Sequence, residues 1–223
     1  MKVLDLFSGL GGASAAFRDR GHEIITSDID PRFNCTVTGD LFDGRVLLRL
    51  QQLGPYDFVW ASPPCEAFSV AAIGHHWGGG DRAYEPKTNH ARESMELVRL
   101  TLMLIDVLNP AAWIIENPRG VLRKLPVMGG IERRTVTYCQ YGERYMKPTD
   151  LWGGFPPTLG LRPMCSNGAS CHESAPRGSR SGVQGIADVA VRARVPYQLS
   201  EDVCIAVERF IAGDTDPAGR LFV

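Results

Sequence analysis

The 223-residue sequence predicts an α/β fold, a mainly parallel sheet with helices on both faces. Three observations predict it. Short apolar runs alternate with segments of helical periodicity, and short loops join them. A Gly-rich break, Ser8-Gly9-Leu10-Gly11-Gly12, follows the first apolar run directly. Polar clusters then recur where successive strands end, the edge at which open α/β sheets bind ligands.

The elements follow in order. Lys2 to Phe7 reads as a buried strand, Ala13 to Arg20 as a helix closed by Gly21, and Glu23 to Ser27 as a second strand ending in Asp28-Ile29-Asp30. Asp40 closes a short third strand. Arg45 to Leu53 reads as helix and Tyr56 to Ala61 as strand. His90 to Leu108 has Met95, Val98, Leu102 and Ile105 at helical spacing, and Ala112 to Ile115 is a strand ending in Glu116-Asn117-Pro118. Thr135 to Tyr138 is a further short strand. From Trp152 to Gln184 the chain is rich in Gly, Pro, Ser and Arg, and reads as an irregular excursion. Ser200, followed by Glu201 and Asp202, reads as the N-cap of a last helix that Gly213 closes. The expected organisation is a core over 1–157, a small segment over 158–188, a return to the core over 189–213, and a tail over 214–223.

Composition narrows the function. The formal net charge is -1, so any nucleic-acid contact must come from a local basic patch. No apolar run approaches the roughly 18 residues of a membrane span. The acid in Met1-Lys2-Val3-Leu4-Asp5 argues against a signal peptide. The six cysteines are scattered apart from Cys165 and Cys171, which suggests reduced thiols and a cytoplasmic setting. Cys165, Cys171 and His172 offer three zinc ligands at a non-standard spacing without a fourth. They read as two loop thiols and an exposed His, and no metal is expected.

The strand-end clusters suggest specific chemistry. The Gly9/Gly11/Gly12 turn allows close backbone approach to a ligand at a helix N-terminus. Asp28 or Asp30 suits the two hydroxyls of a ribose, and Asp40 an adenine amino group. In Ser62-Pro63-Pro64-Cys65, two prolines stiffen the backbone before a thiol, which suits a nucleophile that meets a ring carbon at a fixed angle. Glu116, flanked by Ile114, Ile115 and Pro118, should be partly desolvated and hold its proton more tightly.

Asp5-Leu6-Phe7-Ser8-Gly9-Leu10-Gly11-Gly12 resembles the opening motif of DNA cytosine-C5 methyltransferases. Pro64-Cys65, within the run from Ser62 to Ser69, resembles their nucleophile motif. Glu116-Asn117 resembles their Glu-Asn motif, with Pro118 in place of the usual Val. Arg192 to Leu199 is similar to the family's last motif. The resemblance implies a Rossmann-like, S-adenosylmethionine-dependent fold with a reduced recognition region. It implies methylation of cytosine C5 in double-stranded DNA, as in restriction–modification or phage DNA modification. By resemblance, the catalytic residues are Cys65, Glu116, Asn117 and Lys147. Phe7, Gly9, Leu10, Gly11, Gly12, Asp28, Ile29, Asp40, Pro63 and Pro64 would hold the cofactor. Ser69, Arg82, Lys87, Arg144, Arg177 and Arg180 would contact DNA. The segment from Val70 to Asn89 reads as a Gly-rich mobile lid.

Three departures from the family pattern stand out. Lys147 and Thr149 occupy the positions of two arginines that follow Tyr141-Gly142. Arg192-Ala193-Arg194 replaces an Asn of the last motif, and would suit a donor bearing an extra carboxylate. The recognition region has only about 30 residues. The alternative functions are a C5-pyrimidine transferase acting on RNA, an enzyme using a modified donor, and a catalytically silent DNA-binding paralogue.

Overall fold

A computed structural model describes residues 1–173 and 188–216. It contains a seven-stranded sheet. The strands are β1 (Lys2–Leu6), β2 (Glu23–Asp28), β3 (Val37–Thr38), β4 (Phe58–Ala61), β5 (Ala112–Pro118), β6 (Arg133–Thr137) and β7 (Pro148–Gly154). The spatial order is β3-β2-β1-β4-β5-β7-β6. The first five strands are parallel, and β7 runs antiparallel between β5 and β6.

The period-2 alternation of the strands divides the core between two faces. Leu4, Leu6, Val59, Ala61 and Ile115 face one cluster, shared with α2 (Gly44–Gln52) and α4 (Asn89–Leu108). Val3, Phe58, Trp60, Ala112 and Ile114 face the other. There they pack with Phe17 of α1 (Ala15–Asp19) and with Leu199, Val203 and Val207 of the C-terminal helix, Tyr197–Ile211. Two short helices complete the set before it, α3 (Ile73–His76) and α5 (Val189–Ala193), so the C-terminal helix is α6. Among the described residues, no helix is long and apolar enough to cross a membrane.

Two expectations need correction. The irregular stretch does not start at Trp152, because Leu151, Trp152, Gly153 and Gly154 belong to β7. Gly153 is there for close approach: a Cβ on it would lie 2.0 Å from the Trp113 carbonyl oxygen of the neighbouring strand. Ser200 is not an N-cap. α6 begins at Tyr197 after Pro196, and Ser200 is fully buried within it. Its Oγ donates to the Ala13 carbonyl (2.7 Å) and accepts from the Ala16 N–H (3.2 Å), so a tertiary demand places that hydroxyl.

Smaller boundary shifts have local causes. β1 ends at Leu6 rather than Phe7 because Phe7 has φ 59°, outside the strand region. The third strand is only Val37–Thr38, and Asp40 lies beyond it. β5 extends through Pro118, so Glu116 and Asn117 are strand residues paired with Leu151 and Asp150 of β7. The segment from Val70 to Asn89 is folded around Trp77. That indole is buried, stacks on Phe68 at 6.0 Å, and donates Nε1–H to the Ala67 carbonyl (2.7 Å).

Candidate active site

The C-terminal ends of β1, β2, β4 and β5 converge on two adjoining cavities. The first, about 370 Å³, is lined by Phe7, Gly9, Leu10, Gly12, Asp28, Pro63, Pro64, Cys65, Glu116 and Lys147, together with Arg194 and Val195. The second, about 220 Å³, shares Phe7, Asp28 and Pro64 and adds Ile29, Asp40 and Leu97. The two cavities share Phe7, Asp28 and Pro64 as walls, so the residues expected to hold a nucleotide lie beside the thiol and the carboxyl group.

The turn after β1 is built by unusual backbone. Phe7, Gly9 and Gly11 all have positive φ (59°, 49° and 70°). For a bulky Phe this costs on the order of 1–3 kcal/mol, and such strain clusters at ligand sites. The Gly9 N–H donates to Asp28 Oδ2 (2.9 Å) and the Asp30 N–H to Oδ1 (3.0 Å), which fixes the carboxylate at the cavity wall. Ile29 projects beside it, 64% exposed despite its apolar side chain. Gly11 does not line the cavity that holds Cys65; it lies in a neighbouring hollow with Arg18 and Gln198.

Cys65 is half-buried, and its thiol is pushed up to about 11, by burial first and then by the nearby Glu116 carboxylate; Lys147 opposes the shift. Glu116 is buried, and burial raises its pKa too, against the pull of Lys147 and a hydrogen bond from Tyr138 Oη (2.8 Å). Tyr138 was not among the expected site residues. It lies just past β6, and the strand-end rule that selected Glu116 also selects it. Lys147 is buried; its Nζ donates to the Arg192 carbonyl (3.1 Å) and sits 4.5 Å from the Tyr138 ring centroid.

Asn117 is fully buried and does not line the cavity. Its Nδ2 donates to the Pro63 carbonyl (2.9 Å), tying β5 to the rigid Pro63-Pro64-Cys65 loop. Among the described residues, those expected to contact DNA do not line the cavity. Arg82 is exposed and pairs with Glu85 (2.8 Å), Lys87 donates to the Gly74 carbonyl (2.6 Å), and Ser69 precedes the Trp77 segment. Arg144 is exposed, and its carbonyl accepts from the Glu173 N–H (2.8 Å). Arg177 and Arg180 lie outside the described residues.

The strand order, the antiparallel β7 and a cleft that ends at a thiol define a Rossmann-like methyltransferase fold. The family model for C-5 cytosine-specific DNA methylases matches residues 1–125. The chain is 31% identical to the "Probable DNA (cytosine-5)-methyltransferase" of Frog virus 3 (isolate Goorha), over 75% of this chain and 78% of the viral protein. It is 29% identical to the type II methyltransferase M1.HphI of Haemophilus parahaemolyticus, over 55% of this chain and 36% of that protein. Among solved structures, the Entamoeba histolytica methyltransferase EhMeth matches with a TM-score of 0.46 and 14% identity, over 74% of this chain and 56% of that one. The chain belongs to the C-5 cytosine-specific DNA methylase family, and its enzyme class is DNA (cytosine-5-)-methyltransferase.

Proposed function

We propose that the protein transfers a methyl group from S-adenosylmethionine to C5 of cytosine in double-stranded DNA, through a covalent bond between Cys65 and C6. The observation that carries this reading is the single cleft holding Phe7, Asp28, Cys65, Glu116 and Lys147. The residues present fit the donor. Asp28 offers a carboxylate fixed by two backbone donors, and Ile29 offers an exposed apolar face at the adjoining cavity. When bound there, S-adenosylmethionine supplies an electrophilic methyl group.

The chain's own groups account for the remaining chemistry. Cytosine C5 is a weak nucleophile, and thiolate addition at C6 makes it enamine-like. The Cys65 Sγ–C6 bond forms as the C5–C6 π pair moves to C5, and Glu116 holds a proton at N3 to offset the developing charge. Once C5 carries the methyl group, a water takes the C5 proton, the C–H pair forms the C5–C6 double bond as the C6–S bond breaks, and N3 returns its proton to Glu116, restoring the ring and the thiolate. Burial raises the Cys65 thiol, so forming the thiolate costs free energy. A proton held by Glu116 removes a negative neighbour and eases it. Lys147 supplies the opposing positive charge. Asn117 acts through Pro63 and is a positioning residue.

In the same reading, the segment expected over 158–188 supplies DNA contacts; Thr158 and Leu159 are buried in the core instead, and residues 174–187 lie outside the described residues. The support is the segment's position between the two returns to the catalytic fold, and its arginines among glycines and serines. Arg177→Ala with Arg180→Ala is expected to weaken DNA binding at low salt and to spare donor binding.

A 5-fluorocytosine duplex tests the central step, because fluorine at C5 blocks the elimination that would release the enzyme. With S-adenosylmethionine present, the wild-type chain should form a denaturant-stable adduct and Cys65→Ser should not. Methyl label appearing on RNA but not DNA would overturn the DNA substrate. No adduct and no label on either would leave a silent DNA-binding protein.

A further inference from the structure

The non-standard Cys165/Cys171/His172 group acquires in three dimensions the ligand it lacks in sequence. Cys139, on the turn Tyr138–Tyr141 that follows β6, lies with them. One ligand atom from each of the four falls within 4.8 Å of every other. His172 Nδ1 is 3.4 Å from Cys165 Sγ and 3.6 Å from Cys171 Sγ. A tetrahedral ion with Zn–S bonds of about 2.3 Å and Zn–N of about 2.0 Å sets sulfur–nitrogen edges of about 3.5 Å and sulfur–sulfur edges of about 3.8 Å. The observed spacing is that of a four-ligand site before a small contraction.

We propose that Cys139, Cys165, Cys171 and His172 bind one structural zinc ion. Three thiol protons pass to solvent as the ion binds, leaving three thiolates and a neutral imidazole around it. The supporting contacts are those of a metal centre. Gln140 Nε2 donates to Cys171 Sγ (3.3 Å), in the manner of groups that steady a thiolate ligand. The Cys165 N–H donates to Thr137 Oγ1 (2.9 Å), and the Glu173 N–H to the Arg144 carbonyl (2.8 Å), so backbone bonds hold the ligand loop close to both ends.

The need for an ion is visible in the burial. None of the described residues from 160 to 173 is buried, so this stretch has no core of its own. Short segments without a core gain their order from disulfides or metals. Cys139 is the buried anchor, one residue from Tyr138, whose hydroxyl bonds Glu116. The ion would thus fasten the loop to the turn that carries a catalytic-site hydrogen bond. Among the described residues, the other cluster of ligand-type side chains differs. Glu208, beside His22 and Cys204, already pairs with Arg20 (2.6 Å), and a guanidinium fills the place a cation would take.

The test uses the full chain, purified under reducing conditions without chelator and reconstituted with zinc. About one zinc per chain is expected by mass spectrometry of the metal. Cobalt should give the thiolate charge-transfer and d–d bands of a tetrahedral Cys3His centre. Cys139→Ser risks the core, so Cys171→Ser and His172→Ala, near the surface, serve as second variants. Each should bind zinc at least tenfold more weakly while the far-UV spectrum is unchanged. Wild-type protein that stays metal-free after reconstitution would overturn the site. So would a Cys165–Cys171 disulfide, or undiminished binding in both surface variants. None of these readouts requires methyl transfer, so the metal site and the proposed activity fail separately.

Discussion

Cys65 and Glu116 face the same cleft, and each makes the other's ionised form less favourable. Glu116→Gln removes the negative neighbour but leaves the burial. The Cys65 thiol should therefore titrate below its wild-type value of about 11, yet remain above that of a free thiol. Alkylation of the Cys65 peptide, followed by mass spectrometry across pH, should show the reactivity curve moved to lower pH. Turnover in the same variant should fall by about 10²–10⁴-fold, since the amide cannot hold the proton at N3. A more reactive thiol in a slower enzyme distinguishes this role from a structural one. Asp5 makes a different prediction. Burial pushes its carboxyl up to about 6 from 3.8, although Ser14 Oγ donates to it (2.6 Å) and Arg18 is near. The folded chain then keeps a proton that the unfolded chain releases, so stability falls as pH rises between those values. Above about 6 the penalty is complete, on the order of 3 kcal/mol. Asp5→Asn should raise the urea midpoint at pH 8 and leave it nearly unchanged near pH 4. An equal gain at both would refute the assignment.

At the scale of elements, the parts legible in the sequence are those with periodicity on one chain segment. β1, β2, β4, β5 and α4 announce themselves by apolar spacing, and the polar ends of β2, β4 and β5 carry Asp28, Cys65 and Glu116. β7 was not legible, because Gly153 and Gly154 carry no apolar signal. They are shaped by Trp113, which belongs to another strand. The proposed zinc ligands were illegible for the same reason. Cys165 and Cys171 lie close in sequence, whereas Cys139 reaches them only through the turn after β6. Ser200 shows the converse, a good local capping signal overridden by a tertiary one. β7 also carries a testable ion pair. Asp150 is fully buried, accepts from Thr135 Oγ1 (2.7 Å), and is bridged by both Nε and Nη2 of Arg123. Removing one partner strands a buried charge. Arg123→Ala should destabilise the fold by about 3–5 kcal/mol. Arg123→Met combined with Asp150→Leu should recover most of that in the same denaturant titration.

The whole molecule is closed by its own C-terminal return. α6 packs against α1, where Ser200 bonds both Ala13 and Ala16, and Glu208 takes Arg20 and His22 together. This brings Arg194 and Val195 onto the turn after β1, as a wall of the cavity that holds Cys65. Gly12 is the contact point. A Cβ there would lie 2.6 Å from both the Val195 carbonyl oxygen and Arg194 Cγ, and 2.9 Å from the Val195 nitrogen. Two of those three atoms are backbone and cannot step aside alone. Gly9 differs, since a Cβ there meets nothing within 4 Å and only its φ of 49° opposes substitution. Gly9→Ala should therefore cost only about 1–2 kcal/mol, the ordinary penalty of left-handed backbone, and keep the cavity wall in place. Gly12→Ala should push the return away from the turn, at about 1–3 kcal/mol of overpacking. Because that return walls the cleft, S-adenosylmethionine affinity should drop further in Gly12→Ala than in Gly9→Ala when the two are matched for stability. Calorimetric titration on both variants checks this. Equal affinities would mean that the C-terminal return contributes nothing to the donor site.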